Sequence, residues 1–146
     1  MKYLLDTTVV SDFVRGHAAV RARLLTTRPD ELAVSAITIM EVEYGLSRDP
    51  PRAQAIRPVV ADLLAQLAIL PCGESEARET GRLRGELSRA GTPIGPFDAL
   101  IAGTARAHRL IAVTSNAGEF RRVSGLLVED WREQHVHDRL AGSSAA

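Results

Sequence analysis

The chain has 146 residues, of which 45% are hydrophobic and 25% charged, as expected of one domain that can bury a core. Its 18 basic and 18 acidic residues balance to a formal net charge of zero, so no overall positive field indicates a polyanionic ligand. The single cysteine excludes an internal disulfide and a cysteine-rich zinc site, and no apolar run is long enough for a signal peptide or a membrane span, so we expect a soluble cytoplasmic protein.

Short apolar strands alternate with helices along the chain. The predicted strands lie at 3–5, 32–35, 68–70 and 110–113, with a fifth at 126–128. Amphipathic spacing and breaker residues predict helices at about 9–14, 18–25, 38–46, 53–67, 74–89 and 96–108. Within the fourth helix, Pro58 predicts either a kink or a start later than Ala53. This alternation predicts an α/β domain over residues 1–132, with a mostly parallel central sheet of about five strands and helices on both faces.

The polar residues 133–146 are predicted to form a flexible tail. His135 and His137, which lie in that tail, are expected to be incidental rather than metal ligands.

Acidic residues are predicted to converge at one edge of this sheet. Asp6 ends the first strand, and Glu41 and Asp98 are expected in the opening turns of helices. Asn116 and Glu119 follow the fourth strand. The carboxyl ends of the strands form the ligand-binding edge of a doubly wound sheet. Clustered carboxylates repel one another unless a cation holds them, and an oxygen-only set of ligands suits Mg²⁺, with Mn²⁺ as a substitute. Such an ion can activate a water and stabilise charge on a phosphoryl oxygen.

Each acid also has a purely structural interpretation. The pattern Thr38-x-x-Glu41 fits a capping box, and Asp98 fits the start of a helix, where the dipole favours a carboxylate. Asp6 and Glu119 fit solvated loop positions. The occurrence of all four at predicted sheet-edge positions favours a common site.

Four segments, taken in order, resemble PIN domains and, within that family, the VapC toxins of VapBC toxin–antitoxin pairs. They are LLDT at 4–7, SAITIMEVEYG at 35–45, IGPFD with LIA at 94–102, and VTSN with EF at 113–120, and the closing LVEDW at 127–131 is similar as well. The resemblance implies a Mg²⁺-dependent endoribonuclease toxin that cuts structured RNA, usually tRNA or a ribosomal RNA loop, to inhibit translation. It also implies a VapB-type antitoxin that neutralises the protein.

The resemblance implies catalytic, metal-binding roles for Asp6, Glu41 and Asp98. Where many PIN domains carry a fourth aspartate, this chain has Asn116, so the fourth carboxylate role is assigned to Glu119. Side chains expected to support these acids are Thr7, Thr8, Thr114 and Asn116. The departure at Asn116 leaves open an alternative, a catalytically inactive PIN-like module that only binds RNA or a partner.

Arginines flank the predicted metal edge. Arg82, Arg84 and Arg89 lie on the helix before it, and Arg121 and Arg122 lie just beyond the last acid. Once a metal ion neutralises the acids, these arginines are predicted to bind RNA phosphates on either side of the cut bond. Ion pairs along the helix surface are the structural alternative.

VapC-like chains usually pair, so a homodimer is expected. Apolar residues predicted to be exposed around the first strand would form its interface and accept an antitoxin helix in the same region: Val10, Phe13, Val14 and Leu46.

Overall fold

One five-stranded sheet organises the structure, a computed structural model that describes residues 1–133. The strands are β1 (Tyr3–Leu5), β2 (Leu32–Ser35), β3 (Ala68–Leu70), β4 (Ile111–Val113) and β5 (Val128–Glu129). They lie in the spatial order β3-β2-β1-β4-β5, and every pairing of neighbours is parallel. The predicted α/β class is confirmed, and the sheet is wholly rather than mostly parallel in this part of the chain.

Seven α-helices and one 3₁₀ turn, Pro29–Glu31, connect the strands within residues 1–133. The helices are α1 (Thr7–Val14), α2 (Ala18–Thr26), α3 (Ala36–Arg48), α4 (Pro50–Leu64), α5 (Glu74–Ala90), α6 (Pro96–Ala107) and α7 (Ala117–Phe120). Among them, none combines the length and the apolar character that a membrane span requires.

Helices cover both faces of the sheet, as predicted. Successive strand residues point to opposite faces. Leu4 and Ala112 pack into a core formed with α5 and α6, whereas Leu5 and Val113 pack into a second core formed with α1 and α2. The apolar strand runs therefore reflect burial on two sides, which is typical of parallel sheets.

The strand order reverses next to β1. The chain leaves β1 through α1 and returns on the β2 side, while it leaves β4 and returns as β5 on the other side. A crevice opens outside the carboxyl ends of strands at such a switch point. Asp6 and Thr114 are the first residues after β1 and β4, so both lie at this crevice.

The fourth helix begins earlier than predicted. Helix α4 begins at Pro50, so a start later than Ala53 is wrong. Asp49 caps the helix by accepting a hydrogen bond from the Arg52 N–H at 3.3 Å. Prolines are accommodated in the first turn, where backbone N–H groups have no helical partner.

The fifth strand is shifted from its prediction at 126–128 to Val128–Glu129. Leu126 packs against the core without pairing as a strand, and Leu127 is exposed. The predicted tail at 133–146, with His135 and His137, lies outside the described residues apart from Glu133.

Helices α5 and α6 approach so closely that one position between them must be glycine. A Cβ atom at Gly103 would lie 2.0 Å from the Thr80 hydroxyl oxygen and 2.9 Å from the Thr80 Cα. The contact involves backbone as well as side chain, so a small rotation of Thr80 cannot relieve it. This packing fixes α6 against the sheet, and α6 carries Asp98.

We predict that Gly103→Ala lowers the free energy of unfolding by about 1–3 kcal/mol through overpacking. Gly85→Ala in α5 is the matched control, because a Cβ there would meet no atom within 4 Å. It should be neutral or stabilising by up to about 1 kcal/mol through helix propensity. Urea unfolding measures both, and equal stabilities for the two variants would contradict the packing argument.

Candidate active site

Asp6 is a buried carboxylate that joins the end of β1 to the start of α1. Asp6 is 2% exposed, and its side chain caps α1 by accepting a hydrogen bond from the Thr7 N–H at 2.7 Å. The hydroxyls of Thr114 and Thr8 donate to the other carboxylate oxygen at 2.7 and 3.1 Å. Burial raises the pKa of Asp6, and these hydrogen bonds oppose the rise. The three donors thus hold an acid that water does not reach freely.

Glu41 faces α1 from within α3. Ser35, not Thr38, caps α3, since the Thr38 N–H donates to the Ser35 hydroxyl at 3.2 Å. The predicted capping box is therefore wrong, and Glu41 lies in the second turn of α3 rather than the opening turn. Its carboxylate accepts a hydrogen bond from the Thr7 hydroxyl at 2.7 Å. Glu41 is thus tied to the helix that Asp6 caps.

Asp98 lies in the first turn of α6, which begins at Pro96, as the sequence predicts. It is half-buried, and the pKa of its carboxyl group is raised to about 6. Burial is the largest cause, followed by the negative charge of Asp6 and then by Glu119, while a hydrogen bond from Asn116 opposes the rise. Asp6 and Asp98 therefore repel each other across the crevice.

Asn116 bridges two acids. Its side-chain amide nitrogen donates to Asp98 at 3.0 Å and to Glu119 at 2.9 Å. Backbone hydrogen bonds fix the same loop, since the Asn116 N–H donates to the Thr114 hydroxyl at 2.9 Å. The Ser115 N–H donates to the Thr8 hydroxyl at 3.1 Å and ties the loop to α1.

Three of the four predicted acids open onto one cavity at the switch point. Its lining includes Asp6, Glu41 and Asp98, whereas Glu119 is joined to it through Asn116. The other lining residues are Thr7, Thr8, Ser11, Asp12, Arg15, Ser115 and Arg132. The structure therefore gathers the predicted acids and threonines in one region, and it places Glu119 farther from the cavity than expected.

The chemistry of this cavity fits a hard divalent cation. Its side chains offer carboxylate and hydroxyl oxygens, which are the ligands that Mg²⁺ and Mn²⁺ prefer. Within residues 1–133 no three Asp, Glu, His or Cys side chains lie close enough together to hold an ion as they stand. The charge repulsion between Asp6 and Asp98 is what a cation would relieve. Asp6 and Asp98 would hold the ion, with Glu41 on the same cavity.

The predicted RNA-binding arginines lie away from this cavity. Arg82 pairs with Glu79 at 2.8 Å, which is the surface ion pair considered above, and Arg122 donates to the Pro93 carbonyl at 2.9 Å. Arg84 and Arg121 are exposed, and their side chains form no hydrogen bond or ion pair within residues 1–133. Contact of these four with RNA stays a prediction.

Sequence reasoning missed Asp12, Arg15 and Arg132, all of which line the acid cavity. Asp12 is 2% exposed, and Arg132 donates to its two oxygens, with the Arg132 Nε 2.6 Å from one of them. Thr8, Asp12 and Arg15 follow one another at the i, i+4, i+7 spacing of one helix face, and this is a signal that could have found two of the three. Nothing local indicates Arg132, which lies 120 residues from Asp12 along the chain.

The chain is similar to known proteins over most of its length. The PIN domain family matches residues 3–126. The chain is similar to tRNA(fMet)-specific endonuclease VapC of Shigella flexneri, with 36% identity over 133 residues, and to the protein of the same name from Salmonella typhimurium, with 38% identity over 136 residues. Each alignment covers 90% of this chain and 98% of the relative. The DNA-bound VapBC structure from Salmonella typhimurium superposes with a TM-score of 0.81 at 36% identity, covering 90% of this chain and 98% of that one.

We predict that Asp98→Asn stabilises the metal-free protein at neutral pH. Because the folded-state pKa of about 6 lies above the usual 3.8, ionisation of Asp98 disfavours the fold above pH 6, and this cost disappears as the pH falls toward 4. Asp98→Asn should raise the free energy of unfolding by about 1–2 kcal/mol at pH 7.5. Thermal melting in EDTA at pH 7.5 and pH 5 measures it.

Asp62→Asn on the exposed surface of α4 is the control for loss of a negative charge. Its effect should be small at both pH values. An Asp98→Asn gain that is the same at pH 5 as at pH 7.5 would contradict the assignment of the repulsion to this carboxylate.

Proposed function

The chain belongs to the PIN domain family and, within it, to the VapC ribonucleases, and from that premise we propose that it is a Mg²⁺-dependent endoribonuclease toxin that cleaves initiator tRNA. The observation that carries the proposal is the cavity at the β1–β4 switch point, onto which Asp6, Glu41 and Asp98 all open. The substrate is inferred from the relatives, two of which are named tRNA(fMet)-specific endonucleases. Hydrolysis of its phosphodiester bonds would inhibit translation, and a tRNA substrate implies a cytoplasmic protein.

The chain's own residues would hold the acids in place for this reaction. Thr8 and Thr114 fix the orientation of Asp6, and Thr7 fixes that of Glu41. Asn116 holds Asp98, and this amide also holds Glu119 near the cavity. A divalent ion bound by these acids supplies Lewis-acid activation of water and stabilises charge on the phosphoryl oxygens. Mn²⁺ would substitute for Mg²⁺ in the same oxygen site.

A groove beside the acid cavity suits a helix of a VapB-type antitoxin. Helices α1, α3 and α4 form it, and its apolar lining consists mainly of Val10, Val14, Val42, Leu46, Ile56 and Val60. Solved relatives of this fold are VapBC complexes, which supports an antitoxin partner. An amphipathic helix buries its apolar face in a groove of this kind.

The apolar residues expected to form a homodimer interface are less exposed than the sequence predicts. Val10 is only 1% exposed, and Phe13, Val14 and Leu46 are partly buried. These residues do not project from the surface as a dimer face, and three of them line the recessed groove instead. Exposed apolar side chains near the acids are instead Met40, Tyr44 and Phe97. We place the homodimer contact there, and light scattering at micromolar concentration distinguishes it from a monomer.

Cleavage of an initiator tRNA transcript in Mg²⁺ tests the proposed function. Asp6→Asn and Asp98→Asn should each reduce the cleavage rate by about 100-fold or more, because each removes a charged ligand of the ion. Asp62→Asn should cleave at the parent rate. Circular dichroism on the same preparations shows that the variants are folded.

Two results would overturn parts of this assignment. Full activity of either site variant would remove the acids from the reaction. Tight tRNA binding by the unaltered chain without any cleavage, in Mg²⁺ or Mn²⁺, would favour the inactive binding module.

For the antitoxin groove we predict that Leu46→Glu weakens binding of a VapB-type antitoxin by about 10-fold or more, because it buries a charge in an apolar contact. Leu25→Glu is the control, since Leu25 is exposed on α2 and does not line the groove. Calorimetric titration measures both affinities. Equal binding by the two variants would place the antitoxin elsewhere.

A further inference from the structure

Arg15 lies on the rim that the acid cavity shares with the apolar groove. It lines both, and it is the C-cap residue that follows Val14 at the end of α1, nine positions after Asp6. Side chains on a helix lean toward its N-terminus, so the long Arg15 side chain reaches back toward the cavity. An exposed guanidinium therefore stands next to the acids that the proposed function uses.

The natural partner of Arg15 is already occupied. Asp12 lies three residues earlier on α1, a spacing at which opposite charges on a helix pair. Both Asp12 oxygens instead accept hydrogen bonds from Arg132, and the Asp12 side chain is almost fully buried. Within residues 1–133, the Arg15 side chain forms no hydrogen bond or ion pair; only its backbone N–H donates, to the Ser11 carbonyl at 3.0 Å.

The fold fixes Arg132 in that position. The preceding residue, Trp131, is buried with its ring centroid 5.2 Å from that of Tyr3 in an edge-to-face contact. Its indole N–H donates to Glu129 at 3.1 Å. The segment after β5 is thus anchored on β1, and it brings Arg132 to Asp12.

We propose that Arg15 binds a phosphate of the RNA beside the bond that is cut, and that the Arg132–Asp12 pair keeps Arg15 available for this contact. The inference rests on the proposed function. Other cationic side chains are less suited. Arg106 is held by Glu79 and Glu86, whereas the Arg15 guanidinium has no partner among residues 1–133 and lies on the cavity. Arginine binds phosphate through paired N–H donors, which suits a fixed contact on a polyanion.

A purely structural role makes a different prediction. A cation at the C-terminal end of α1 interacts favourably with the helix dipole. If this were the only role of Arg15, Arg15→Ala would lower the melting temperature without changing RNA binding. The two interpretations are separated by measuring affinity and stability on the same variants.

Binding of an initiator tRNA transcript is measured across a salt series on the Asp98→Asn background, where cleavage does not interfere. Arg15→Ala should weaken binding about 5–10-fold at low salt and reduce the log–log salt slope by about 0.7–0.9, the value of one phosphate contact. Arg15→Lys should keep most of the slope because it keeps the charge. Arg109→Ala is the matched control, since Arg109 lies between α6 and β4 at the opposite edge of the sheet, and it should bind like the parent.

The role of Arg132 is tested by rescue. Arg132→Ala frees Asp12 to pair with Arg15, so it should weaken RNA binding as much as Arg15→Ala does, and the two changes together should cost little more than either alone. Adding Asp12→Asn to Arg132→Ala removes the competing charge and should restore binding. Additive losses, or no restoration, would overturn the role given to the pair.

The outcomes also separate this inference from the proposed function. If the Asp98→Asn parent binds tRNA and Arg15→Ala leaves its affinity and slope unchanged, the assignment of Arg15 is wrong and the function stands. If the parent does not bind tRNA and the unaltered chain does not cleave it, both are overturned.

Discussion

Burial of the Asp6 carboxylate is the constraint on which the rest of the site depends. A carboxylate removed from water is costly unless hydrogen-bond donors replace its hydration. The donors come from the first turn of α1 and from the loop after β4, so satisfying one acid joins two segments that are distant in sequence. Asp98 then lies within the field of this buried charge, and its raised pKa is the consequence. A bound cation would offset the repulsion between these two carboxylates.

Asn116 has a clear role in this balance, although it is not an acid. A further carboxylate at this place would add to the repulsion that already raises the pKa of Asp98. The amide instead donates to Asp98 and to Glu119, so it draws two acids together without adding charge. The departure from the family pattern therefore preserves the arrangement of the acids, and Glu119 supplies a carboxylate beside the cavity rather than on its wall.

Local rules account for what the sequence predicts correctly. Apolar runs define the buried strands, and Gly95-Pro96 defines the start of α6, so the places of Asp6 and Asp98 follow from their neighbours. The sequence predicts that α3 begins at Thr38, which puts Glu41 in the first turn instead of the second. Ser35 and Thr38 are both good N-cap residues, and only the packed structure selects between them. The Arg132–Asp12 pair could not be predicted, since it depends on how the segment after β5 packs on β1. The ion pair of Arg82 with Glu79 follows from their spacing of three residues on α5, as the structural alternative predicts.

The acid cavity and the apolar groove are two sides of the same helix pair. Thr7, Ser11, Arg15 and Glu41 line both. The hydrogen bond from Thr7 to Glu41 crosses from α1 to α3, so the orientation of one acid of the proposed site depends on how these helices pack. A helix inserted in the groove contacts the same two helices and also reaches the rim where Arg15 would hold RNA. Under the proposed function, an antitoxin bound there would inhibit cleavage in two ways, by displacing the substrate from the rim and by shifting α1 relative to α3, without any contact to Asp6.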